Sequence, residues 1–430
     1  MKIVNKLILS LLSVVMCPLS LWAQEKLIVV NEGIWQSNNG RLTYLSNGSI
    51  VSNQWFRDVN KTNLGDTPSD IIQVNDNLIA IALNWSNIVQ FITPEGKAVA
   101  ATEDIPNNRK LASDGKYVYV TSYAHECRTV DGYKYFTKGF VAKIDISNFK
   151  VVAAVETGYE PEGIIFYGGY LFVANTGGYA FQESHAYEKT VSIIDASTMT
   201  VTRTVDTGQI NLYGKMSVSG QYLCINSPGD YYDTMAATVI FDCKAALEGK
   251  SDKDCRVILP LAATYSCVDA EKNFIAVGSR YSYYDGDYKF NYVRIDPRKI
   301  METNGADGVY NDLPGTVLKD LKAMSMPYGI YVNPYTGYIY ATDAGSYSSS
   351  GTLYQWNPEG VLQNKYRTYI NPAHFLALPP DGHFTAIESV IAEESSENTN
   401  HATYNLMGVK VSKLVPGQIY IRDRKKFLFQ

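Results

Sequence analysis

The sequence predicts an all-β protein: a seven-bladed β-propeller closed by N- and C-terminal strands, followed by a small C-terminal β module. Three observations predict it. One short apolar strand recurs seven times, at 27–31, 78–83, 117–122, 170–175, 222–226, 274–278 and 338–342. A partner strand also recurs seven times, beginning around Pro68, Pro106, Pro161, Leu212, Tyr265, Pro327 and Pro372. Helical periodicity is nearly absent, with 244–247 and 296–302 the short candidates.

The clearest unit spans 159–208 and supplies the rest of the pattern. Pro161–Phe166 is followed by a Gly168-Gly169 turn, then Tyr170–Asn175, a polar loop, Thr190–Asp195 and Val201–Val205. These are four strands joined by hairpin connections. The two strand series are offset by one, so the chain enters on a second strand and finishes its repeats on a first strand at 374–378. The two ends complete one sheet, as a ring requires, because each four-stranded unit must cover two neighbours.

The remaining segments follow in chain order. Lys2 and Lys6 precede an apolar stretch from Leu7 to Leu21 ending at Leu21-Trp22-Ala23, which reads as a cleaved export signal over 1–23. Cys17 follows Met16, where lipoprotein signals carry Gly, Ala or Ser. No later apolar run is long enough to span a bilayer. The propeller is assigned to 24–380. Glu393-Glu394-Ser395-Ser396-Glu397-Asn398 marks a solvated linker over 381–401, and 402–430 reads as the small β module.

Composition excludes several classes. At 46% hydrophobic and 19% charged residues the chain is neither disordered nor fibrous. Its net charge of −5, with a basic run only at Arg422–Lys426, gives nucleic acid no electrostatic footing. Five cysteines follow the export segment, and Cys243 and Cys255, which flank a short polar loop, are the expected pair. Zinc is not indicated, since C-x-x-C does not occur.

Tyr117-Val118-Tyr119-Val120-Thr121 and Tyr170–Asn175, each followed by a Val-x-x-Ile-Asp strand at 141–145 and 191–195, resemble YncE-like YVTN-repeat propellers. The opening Asn31-Glu32-Gly33, with Gly65-Asp66 and Pro68, is similar to exported propellers associated with TonB-dependent transporters, including BtuG-type surface cobalamin-binding proteins. That resemblance implies a cobalamin-like ligand and an outer-membrane transporter as partner. Tyr404–Val411 and Gly417–Ile421 resemble the C-terminal sorting modules of type IX-secreted proteins.

Function is expected on one face. The first-to-second turns are tight, whereas the second-to-third loops at 124–139, 176–189, 227–236, 279–289 and 344–351 are long and carry much of the chain's tyrosine, which totals 33 residues against 15 phenylalanines. Rigid rings with a polar tip suit a flat, partly polar ligand. The candidate ligand-binding residues are Trp35, Asn84, Trp85, Arg109, Tyr123, Asn175, Tyr179, Tyr231, Tyr232, Arg280, Tyr281, Tyr283, Asp343 and Tyr347. Arg280 beside Tyr281 combines stacking with a fixed charge, while Asn175 has a competing role in capping its own turn.

Catalysis has little sequence support. Of His125, His185, His374, His383 and His401, the first two lie in long loops where solvated side chains are expected, and His374 lies on an inner strand. Asp285-x-Asp287 and Asp230-x-x-Asp233 form no complete calcium loop. No catalytic residue, metal or cofactor is assigned. The leading reading is an exported, non-catalytic nutrient-binding propeller. Its alternatives are an envelope protein-interaction scaffold and a propeller lactonase or lyase that needs carboxylates and His converging in the channel.

Overall fold

The computed structural model describes residues 25–380 apart from 125–126, 131–132, 181–184 and 283–286, together with short strands between 403 and 428. Side chains at 127–134, at 279–290 and in the strands after 402 lie outside the description. The expected export segment, 1–23, lies outside it too.

Seven four-stranded antiparallel sheets form the blades of the propeller. Blade 1 is the closing sheet, in which Pro372–Leu378 pairs with Lys26–Asn31, followed outward by Arg41–Ser46 and Ser49–Ser52. Its register sets Ile28 opposite Leu376 and Val30 opposite His374. The innermost strands of blades 2 to 7 are Pro68–Asn75, Asn108–Ser113, Pro161–Tyr167, Tyr213–Ser219, Tyr265–Val268 and Pro327–Val332. The chain divides between Ser389 and Val390 into two compact units. The second contains a separate antiparallel sheet of Thr403–Asn405, Lys410–Val411, Ile419–Arg422 and Lys425–Leu428.

Apolar residues of the second and third strands pack between neighbouring blades. Trp356, fully buried, sits with Tyr292, Val317, Leu321 and Ile330 between blades 6 and 7. Burying one such side chain is worth roughly 1.5–3 kcal/mol, and the pattern repeats around the ring. At three junctions a glycine lies where the next blade's chain crosses. A Cβ on Gly40, Gly139 or Gly351 would meet Pro68, Pro161 or Pro372 at 2.3, 2.2 and 2.8 Å. Glu25 adds a polar latch, accepting hydrogen bonds from Tyr340 Oη, from Gln355 Nε2 (2.9 Å) and from Asn333 Nδ2 (3.3 Å) in blade 7.

Among the described residues, four short helices occupy connections. Cys243–Leu247 and Pro297–Glu302 match the two candidates, and Asp296 caps the second by accepting from the Arg298 and Lys299 amides. Trp55–Asn60 and Val317–Lys322 were not anticipated; neither has a side-chain capping hydrogen bond at its start, whereas Asp242 and Asp296 supply one to the other two. The expected Cys243–Cys255 disulfide is not formed. Both are buried free thiols, as are Cys224 and Cys267; Cys255 directs its Sγ to the Lys250 carbonyl at 3.7 Å, while the Cys243 thiol is pushed up by burial at the start of a helix.

Candidate functional site

In this topology the starts of the innermost strands, the ends of the second strands and the second-to-third loops share one face. The innermost strands place Arg109, Glu162, Tyr213, Tyr265 and Tyr328 around the channel mouth. The mouth is therefore divided. Tyr213, Tyr265 and Tyr328 form an aromatic arc over blades 5 to 7, in which Tyr265 and Tyr328 meet edge to face at 5.4 Å and Tyr347 packs on Tyr328 at 5.5 Å. Tyr213 and Tyr347 remain exposed.

Blades 3 and 4 supply the charged part. Arg109 donates Nε and Nη2 to the two carboxylate oxygens of Glu162 at 2.8 and 3.2 Å, and Tyr123 donates its hydroxyl to the same carboxylate. The guanidinium also lies over the Tyr123 ring, 4.7 Å from its centre. Burial opposes ionisation of Glu162, but Arg109 and then Lys110 outweigh it and hold the carboxyl below its usual range. Burial would likewise lower the Arg109 pKa, yet the Glu162 carboxylate keeps the guanidinium protonated.

One layer deeper, a charged belt spans the channel. Lys215 of blade 5 reaches Asp70 of blade 2 at 2.7 Å, a contact between sheets that are not neighbours in the ring. Asp70 also accepts from the Leu111 amide of blade 3. Lys110 donates to the Ser69 carbonyl at 2.7 Å and lies 3.9 Å from Glu162. Glu32, just past the second strand of blade 1, pairs with His374 Nε2 at 3.0 Å and accepts from the Tyr328 hydroxyl at 2.6 Å. Burial, followed by the positive charge of Lys110, lowers the His374 pKa and keeps the ring neutral. Counted together with the Arg109–Glu162 pair above it, the belt sets three carboxylates, Glu32, Asp70 and Glu162, against three cations, Arg109, Lys110 and Lys215.

The sequence-predicted residues divide into groups. Arg109 and Tyr123 stand in the mouth. Asn84 ties the loops behind it, donating to Asn107 Oδ1 and the Asn108 carbonyl, both at 2.8 Å, and Asn107 in turn donates to Tyr179 Oη at 3.1 Å. Tyr179 meets the Tyr123 ring edge to face at 5.5 Å. Trp35 and Trp85 form a second, separate feature on this face, in edge contact at 4.8 Å with exposures of 59% and 46%. Tyr231 and Tyr232 are exposed on the loop of blade 5.

Two of the predicted residues are structural instead. Asn175 is buried and spends its amide on Thr190 Oγ1 (3.0 Å) and Ser192 Oγ (2.9 Å), as Asn31 does on Thr43 in the closing blade. Asp343 accepts from the backbone amides of Ser325, Met326 and Gly345 and holds its own turn. Arg280 and Tyr281 lie in the strand Phe274–Ser282, but their side chains, like all of Tyr283, fall outside the described residues.

His185 departs from the expected solvated side chain. It is buried, accepts or donates at 2.7 Å to Glu160 and stacks on Tyr159 at 3.9 Å. Burial raises the Glu160 pKa despite this partner. His125 lies outside the described residues. Among the described residues no group of three His, Cys, Asp or Glu side chains is arranged to hold a metal ion. No helix of the described residues is long and apolar enough to cross a membrane.

Asp70, Lys110, Glu162, Tyr213, Lys215, Tyr265 and Tyr328 were missed in the sequence, and Glu32 and His374, though noted there, were not among the binding candidates. Aligning the innermost strands, rather than the long loops, brings Arg109, Glu162 and Tyr328 into one register, each the second residue of its strand.

No family model matches the chain, and no curated protein is similar to it in sequence. Solved structures are similar in architecture. One is a hydrazine synthase from Kuenenia stuttgartiensis, with a TM-score of 0.51 and 15% identity, covering 73% of this chain and 90% of that one. Another is a functionally unknown protein from Desulfotomaculum acetoxidans, with a TM-score of 0.50 and 11% identity, covering 83% and 99%. The likeness is one of fold. At such identities it carries no activity or ligand from those proteins to this one.

Proposed function

We propose that this chain is an exported binding protein, without catalytic activity of its own, that captures a flat, partly polar nutrient at the channel mouth and presents it to an outer-membrane transporter. The observation that carries the reading is the divided mouth, with Tyr213, Tyr265, Tyr328 and Tyr347 on one side and the Arg109–Glu162 pair on the other. Tyrosine rings bury area at low entropic cost and leave hydroxyls for polar groups. Arg109, held rigidly by Glu162, offers a fixed cation over which a planar ligand can stack. Glu162 already accepts from Arg109 and Tyr123, so it is better placed as a positioning group than as a general base.

The sequence resemblance favours a cobalamin-like corrinoid as the ligand. Calorimetric titration of the purified protein with cyanocobalamin, alongside haem and a mixed oligosaccharide pool, tests this. Saturable heat with one of them, weakened at least tenfold by Tyr213→Ala or Arg109→Ala, is expected. Saturable heat that both variants leave unchanged overturns the site. The exposed Trp35–Trp85 pair favours a second reading, a protein-docking surface, since Trp is a frequent interface anchor. The absence of heat with every small molecule, together with envelope proteins retained by the wild type and released by Trp35→Ala, would favour that reading.

A further inference from the structure

Beneath the charged belt the channel widens into a cavity of about 460 Å³ that opens on the opposite face, among the tight turns. Its walls come from the innermost strands of five blades: Ile165 of blade 4, Met216 and Val218 of blade 5, Val268 of blade 6, Ile330 and Val332 of blade 7 and Phe375 of blade 1. Turn residues Gly220, Ala270 and Gly337 form its rim. Lys215, Tyr265 and His374 lie at the inner end.

Small side chains on the innermost strands of blades 5 and 6 leave space here: Ser217 and Ser266 line the cavity, and their hydroxyls are 2.9 Å apart, bonded to each other. The polar groups bordering it have their partners within the protein: Lys215 on Asp70, His374 on Glu32. The rim residues Asp269 and Lys272 carry opposite charges. A charged ligand would find no uncompensated counter-charge, and desolvating it would cost several kcal/mol.

We propose that this lower chamber is a second small-molecule site, separate from the mouth, that takes an uncharged, predominantly apolar molecule such as an aromatic or branched hydrocarbon bearing at most one or two hydroxyl or carbonyl groups. The volume falls within the usual range for ligand pockets, about 300–1,000 Å³. The Ser217–Ser266 pair is a polar feature of the wall that opens without breaking an ion pair, alongside Ser219 and Tyr331, and it is positioned to exchange its internal hydrogen bond for one to a ligand oxygen. The reading does not depend on what the mouth binds.

Fluorescence titration of the full protein with the neutral probe N-phenyl-1-naphthylamine tests the proposal. Expected is saturable, single-site enhancement, weakened at least tenfold in Val268→Trp, which fills the chamber, and retained within twofold in Val268→Ile. The anionic 1-anilinonaphthalene-8-sulfonate should bind at least tenfold more weakly than the neutral probe. Tyr213→Ala, at the mouth, should leave the titration unchanged. If Val268→Trp does not fold, Val218→Phe on the neighbouring blade takes its place. No saturable enhancement, binding unaffected by filling the chamber in a folded variant, loss of binding in Tyr213→Ala, or equal affinity for the anionic probe would each overturn the assignment.

Discussion

Replacing Glu162 by Gln keeps the shape of the side chain and removes its charge. The carboxylate is essentially buried, with 1% of its side chain exposed, and Arg109 beside it is 17% exposed. The variant leaves Arg109 and Lys110, itself 7% exposed, beside an uncharged amide. Removing one partner of a buried pair costs about 3–5 kcal/mol, and the open side of Arg109 puts this case near the lower end, about 3 kcal/mol. A propeller of about 355 residues unfolds with an entropy of roughly 0.75 kcal/mol/K at about 2.1 cal/mol/K per residue. The expected shift in Tm is therefore about 4 °C. Differential scanning calorimetry at pH 7 measures it, and the Arg109→Met, Glu162→Gln double variant isolates the coupling. The pH dependence gives a second check. Because the Glu162 pKa is depressed on folding, its contribution is present above the ordinary carboxyl value of 4.5 and is lost as pH falls through the lower folded value. The acid limb of the stability curve should be shallower in the variant. A Tm within 1 °C of wild type, with an unchanged acid limb, would refute the view that the mouth is a low-dielectric site organised by this carboxylate.

Other perturbations have equally definite expectations. His374, whose pKa is lowered from 6.5 by burial, contributes stability that is complete above 6.5 and declines as pH drops toward its folded value. Thermal melts between pH 7 and 5 should show that decline, at up to about 1.4 kcal/mol per pH unit, and His374→Gln should remove it. Glu25→Ala strands the Tyr340 and Gln355 donors at the ring closure and should cost about 1–3 kcal/mol in denaturant titration; an unchanged midpoint would show that closure rests on the strand pairing alone. Gly139→Ala drives a Cβ to within 2.2 Å of Pro161 and 2.3 Å of the Ser122 carbonyl, so about 1–3 kcal/mol should be lost. Full retention of stability would mean that the crossing chain can shift.

The fold was legible because its signal is repetition. Leu78–Leu83, Tyr117–Ser122 and Tyr170–Asn175 each carry a strand pattern that a single copy would leave ambiguous, and the offset between the two strand series forced the closing pairing of Lys26–Asn31 with Pro372–Leu378. The site was legible only in part. Arg109, Tyr123, Tyr179 and Asn84, chosen from loop tyrosines and from positions around strand ends on one face, form a connected set. Asn175 and Asp343 were candidates for the same positional reason, yet their hydrogen bonds are spent on their own blades. Position at a strand end gives the face of the propeller and leaves the direction of the side chain open.

The amino-acid sequence by itself determined the repeat, the closure and the face on which aromatic loops gather, because these follow from local periodicity and from the chain's two ends. Tertiary structure alone decided the charged belt. Lys215 and Asp70 are 145 residues apart, and Glu32 and His374 are 342 apart; nothing in the local pattern of either pair names the other. Such partners are selected by the geometry of a closed ring, which brings seven strand starts to one axis and excludes enough water to require every charge there to be compensated. The lower chamber has the same origin, since Ile165, Val218, Val268, Val332 and Phe375 come from five blades that meet only when the ring closes.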